Sequence, residues 1–190
     1  MRVEKTAVLE RNPFDGARRP EPRTDAEHEL QVRVIYTTPA GTVAALRAAA
    51  DLATNLQACI TLVVAEPVPM HFSLDRPHVP VDFLERRNWA LICEAGLVDQ
   101  PVDIKICLCR NARRALKQVL GAHSLIVIGG GAHWWNRTER RLANWLGGLG
   151  HHVIFVSARD HGFHAKREFP GRQEAFLRTL DSGDIHGCGI

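Results

Sequence analysis

Three consecutive glycines, Gly129, Gly130 and Gly131, end the short apolar run Leu125–Ile128. Two trios of arginine stand on either side: Arg110, Arg113 and Arg114 at the start of one helix-like stretch, and Arg137, Arg140 and Arg141 at the start of the next. The chemistry this combination permits is anion binding. Glycines let backbone N–H groups approach a phosphate closely, and guanidinium groups offset its charge. Thr37 and Thr38 follow another apolar run and bring hydroxyls to the same end of the expected sheet. The candidate ligand-binding residues are therefore Thr37, Thr38, Gly129, Gly130, Gly131, Arg113, Arg137 and Arg140. An arginine at a helix start costs about 0.3–1 kcal/mol unless an anion or acidic side chain offsets it. Plain solvated arginine is the competing reading.

No catalytic set is legible. Ser124 and Ser157 lack a glycine-elbow context, and no His–Asp partner can be assigned by spacing, so an enzyme is the weaker reading. His71 and His78 lie among prolines with no Cys, Glu or Asp at a spacing that would complete a metal site, and no metal is expected. Cys107 and Cys109 point the same way in an extended strand, too close for an easy disulfide, and read as packing residues. Trp134 and Trp135 read as cover for a core edge, with stacking on a base as the alternative.

Placing these residues requires alternating strands and helices. Leu30–Tyr36 reads as a strand around Val32, Val34 and Ile35, broken by residues 37–41. Thr42–Leu56 reads as a helix with Val43, Leu46, Ala50, Ala53 and Leu56 on one face, and Ala58–Ala65 as a second buried strand. After a loop over Met70–Pro80, Val81–Ala95 reads as a helix with two competing faces, Phe83, Arg87 and Ala90 or Leu84, Asn88 and Leu91. Pro101–Leu108 alternates as a strand near a sheet edge does. Asn111–Gly121 and Thr138–Leu149 are helices around the glycine-ended strand, and His151–Ser157 is a fifth strand. The fold class is α/β, an open five-stranded parallel sheet with helices on both faces, joined by right-handed crossovers. Residues 1–29 read as a mobile arm of Arg, Pro and acid, 30–158 as the α/β domain, and 159–190 as a tail with a short helix over Glu174–Leu180.

Composition is that of an ordinary globular chain: 190 residues, 45% hydrophobic and 24% charged. A folded part of roughly 150 residues buries about 68–70% of its unfolded surface and needs no metal or disulfide staple. The net charge of +3 does not by itself argue for nucleic acid or membrane, and neither is expected as a partner. Five cysteines, an odd number mostly in apolar surroundings, fit a reducing cytoplasm. No run has the order of a signal peptide or approaches the ~20 apolar residues of a membrane span.

Val43–Pro69 (VAALRAAADLATNLQACITLVVAEPVP) resembles the first helix and second strand of the universal stress protein family, and Val102–Gly129 is similar to its third strand, third helix and fourth strand. The resemblance covers roughly Gln31 to Ser157. It implies a Rossmann-like sheet ordered 3-2-1-4-5, a homodimer and, in one branch of the family, ATP between the first and fourth strand ends. The ATP-binding branch carries an acidic residue where this chain has Thr37, and a second loop glycine where it has Ala132. At the family's Gly-Ser or Gly-Thr position, counting forward gives Leu142-Ala143 and counting back from the fifth strand gives Glu139-Arg140. No cofactor is therefore expected, and ATP or another nucleotide is disfavoured. The resemblance implies a non-catalytic stress-response or regulatory module. The alternative is a nucleotide- or anion-binding protein using the glycine loop, with or without slow phosphohydrolase activity. In the implied order the fifth strand, His152–Ser157, has one edge unpartnered within the chain, and a homodimer through it is expected.

Overall fold

In the computed structural model, which describes residues 7–11, 30–131 and 137–158, each β-branched run forms a strand. The strands are β1 (Ala7–Arg11), β2 (Gln31–Ile35), β3 (Cys59–Pro67), β4 (Val102–Cys109), β5 (Leu125–Gly130) and β6 (His152–Ser157). The helices are α1 (Pro39–Leu56), α2 (Val81–Glu94), α3 (Ala112–Val119) and α4 (Arg137–Gly148). Strands β2 to β6 form an open parallel sheet in the order β4-β3-β2-β5-β6, which is 3-2-1-4-5 when the parallel strands alone are counted. The order reverses at β2, which lies between β3 and β5.

The two-residue period of the strands divides the core into two layers. Val34, Leu62 and Ile104 turn towards α1 and α2, where Leu46, Leu84 and Ile92 meet them. Ile35, Val63, Cys107 and Ile128 turn the other way, onto Leu116 of α3 and Leu146 of α4. Cys107 and Cys109 both point into this second layer, buried and unbridged. No helix among the described residues is long and apolar enough to cross a membrane.

Three local readings change. Within the stretch read as an arm, Ala7–Arg11 forms β1, which pairs antiparallel with the outer side of β4, Ala7 opposite Leu108 and Arg11 opposite Ile104. A five-residue segment without a hydrophobic period of its own becomes a strand because an edge supplies its ladder. Helix α1 begins at Pro39 rather than Thr42, since proline is tolerated at the first helical position and Thr38 caps the turn. Between the two faces open for α2, the structure buries Leu84, Asn88 and Leu91 and leaves Phe83 half exposed. Asn88 is completely buried, and neither of its amide atoms has a hydrogen-bond partner among the described residues. Residues 12–29, Trp134, Trp135 and the tail from residue 159 lie outside the described residues.

The amino ends of the strands are tied together by side chains. Arg33 of β2 donates to the Leu120 carbonyl beyond α3 and to Ser124 Oγ at 2.9 Å, so a cation lies at the end of that helix where its dipole is negative. The Ser124 N–H donates to His151 Nδ1 at 3.2 Å. Burial first, then Arg33 and His123, hold the His151 pKa below the usual histidine value. The unfolded chain therefore binds this proton more readily. The contribution to stability is fully present above about pH 6.5 and is lost as pH falls through the lower folded-state value. Thermal melts should accordingly show a midpoint that drops below about pH 6.5. His151→Asn, whose Oδ1 accepts the same N–H without titrating, should flatten that part of the profile; an unchanged slope would assign the effect to another group.

Candidate functional site

Open α/β sheets bind ligands at the carboxyl ends of strands where the order reverses, here between β2 and β5. Among the described residues, the chain packs on itself at this point. Gly41 in the first turn of α1 lies against Gly129 of β5, backbone on backbone. A Cβ on Gly41 would stand 2.6 Å from the Gly129 oxygen, and a Cβ on Gly129 would overlap the Gly41 carbonyl. The Thr37 hydroxyl donates to the Gly129 carbonyl at 2.6 Å and locks the contact. Gly129 and Gly130 are strand residues, paired in register with Val156 and Ser157, and both are buried. Glycine at position 129 thus serves close helix–strand packing rather than the approach of a ligand.

The first turn of α1 has little left to offer a phosphate. Pro39 has no N–H, and the Gly41 N–H donates to Thr38 Oγ1 at 3.2 Å. The Thr42 N–H donates to the Thr38 carbonyl at 2.8 Å, and Thr42 Oγ1 accepts from the Thr37 N–H at 3.2 Å. Of the first three helical residues only Ala40 retains a donor, and a phosphate cradle needs several convergent ones. Thr37 and Thr38, expected as ligand hydroxyls, are respectively a clasp and a helix cap.

The neighbouring rim is filled by two arginines. Arg110, grouped by sequence with the helix-start arginines, turns back over the loop after β3: it donates to the carbonyls of Val68 at 2.7 Å and Phe72 at 2.6 Å, and also to that of Pro69. Arg87 of α2 pairs with Glu66 at 3.1 Å and stands 5.2 Å above the Tyr36 ring. The helical period of α2 put Arg87 on one of two competing faces, with Phe83 and Ala90, and gave no sign of its partner at Glu66.

The remaining arginines do not converge on one point. Arg113 of α3 stands 5.6 Å over the ring of Trp145, and Arg140 of α4 stands 5.6 Å over that of Phe155. Trp145 lies five residues beyond Arg140, about 7.5 Å further along the helix axis, so Arg113 meets the second half of α4 rather than its arginine-bearing first turn. Each stacked cation contributes about 0.5–1 kcal/mol at an exposed site. Arg137 opens α4 and is exposed. Among the described residues no three His, Cys, Asp or Glu side chains are grouped to hold a metal.

Two alanine substitutions separate packing from propensity. Gly129→Ala should destabilise by at least about 3 kcal/mol, because neither backbone can yield without shifting α1 or β5. Gly147→Ala, which meets nothing within 4 Å, should stabilise α4 by roughly 0.5–1 kcal/mol. Chemical denaturation measures both, and a near-neutral Gly129→Ala would refute the close backbone contact.

No protein-family model matches this chain, and no curated protein sequence matches it either.

Proposed function

We propose that the chain is a non-catalytic regulatory module of the universal stress protein kind, cytoplasmic, working as a homodimer and carrying no nucleotide in its strand-end crevice. The observation that supports this reading is the contact of Gly41 with Gly129 under the Thr37 hydroxyl, which leaves less room at the strand ends where a nucleotide would enter. A non-catalytic role is supported by the nearest serine–histidine pair. The Ser124 hydroxyl donates to the Leu120 carbonyl, and His151 Nδ1 receives the Ser124 backbone N–H, so no base faces the hydroxyl proton. Isothermal titration with Mg-ATP should give no binding tighter than about 1 mM, a free energy near −4 kcal/mol. Micromolar binding would overturn the reading.

The homodimer is supported by the outer edge of β6. The N–H groups of His152 and Ala158 donate to Ser124 and Gly130 carbonyls. By the period of two, those of Val153 and Phe155 point away from β5, where a second copy can pair antiparallel about a twofold axis. Light scattering should find two chains per particle, and Val153→Pro, which removes an outward donor and leaves the ladder to β5 intact, should give one. A monomeric parent protein at micromolar concentration would exclude edge pairing.

A further inference from the structure

Among the described residues, charge is unevenly placed. Helices α3 and α4 carry Arg113, Arg114, Lys117, Arg137, Arg140 and Arg141 against one acid, Glu139. On the opposite face, α1 and α2 carry three basic residues against four acidic ones. All six basic side chains of α3 and α4 are exposed, and Arg113, Lys117, Arg140 and Arg141 form no ion pair among the described residues. The net charge of +3 for the whole chain conceals this asymmetry. The two helices cover the same face of the sheet, and Arg113 of α3 reaches across to the Trp145 ring of α4. Stacking also holds the guanidinium groups of Arg113 and Arg140 while leaving their N–H edges available to acceptors.

We propose that the α3/α4 layer is a docking face for the phosphate backbone of duplex nucleic acid, bound without sequence preference. The match is one of charge pattern: cations spread along two helices of one layer suit a regular polyanion, which presents one negative charge per about 1.7 Å of duplex axis, better than they suit one small anion. An anionic membrane is the poorer fit, since a surface-bound helix needs apolar side chains beside its cations. Among the described residues, the most exposed large apolar side chains, Met70 and Phe83, stand after β3 and on α2, and only Leu149, just past α4, is near the basic layer. The duplex would lie across the helices outside the sheet, so this face is independent of whether the strand-end crevice is open or closed.

The test is fluorescence anisotropy of a short labelled DNA duplex titrated with the full chain. Binding should be micromolar to tens of micromolar at low salt and equal for two unrelated sequences. With about four phosphates engaged, affinity should fall about a hundredfold between 50 and 200 mM salt. Lys117→Glu with Arg141→Glu, two exposed positions without a ring contact, should weaken binding at least tenfold with an unchanged melting temperature. Arg86→Glu on α2 should leave it unaltered. Absence of binding at 50 mM salt, equal affinity in the Lys117/Arg141 variant, or binding to phosphatidylcholine–phosphatidylserine vesicles without binding to DNA would each overturn the proposal.

Discussion

The structure depends on how closely the backbone of α1 approaches that of β5. Two side-chain-free residues meet there, Gly41 and Gly129, and the buried face of α1 continues with Ala45, Ala48, Ala49 and Ala53. Small residues let a helix settle deep onto a sheet, and the depth then dictates much else. It requires the helix to start early, at Pro39, so that Gly41 falls opposite the strand end. The hydroxyls of Thr37, Thr38 and Thr42 are turned inward to serve backbone groups. Two backbones thus meet beside the strand ends where open α/β sheets commonly hold ligands.

The strands and most helices were legible because their signals are local. β-branched runs such as Ile60–Val64 cannot be solvated cheaply, and alanine and leucine at helical spacing leave one buried face for α1. What escaped notice depended on partners remote in sequence. β1 is a strand only because β4 has a bare edge 93 to 101 residues away, and nothing within Ala7–Arg11 announces it. The buried amide of Asn88 contradicts hydropathy, and neighbouring Leu84 and Leu91 set the face of α2 instead. The three glycines were visible as a feature. Their purpose was not, since glycine admits a ligand or a second backbone equally well and only the position of Gly41 distinguishes them.

Arginine shows the same limit. Its place near a helix start suggests an anion, yet the side chain is long enough to choose among neighbours several elements away. Arg33 and Arg110 answer unpaired carbonyls, Arg87 answers a carboxylate and a ring, and Arg113 and Arg140 lie on aromatic faces. Those covering carbonyls lose freedom and become part of the framework. Those lying on rings keep their hydrogen-bonding edges turned outward, so that a residue type used for cohesion at one place remains a source of positive potential at another.

The antiparallel strand on β4 also bears on how far the sheet can grow. A parallel sheet with two bare edges presents two unlike surfaces, and copies joined head to tail through them have no reason to stop. β1 replaces the eight-residue edge of β4 with one of five residues, and short edges make poor templates. Among the described residues β6 then keeps the longer edge, with six residues. Were that edge to pair with its own copy, a single twofold meeting would use it up, and growth by this route would end at two chains and not in a fibre.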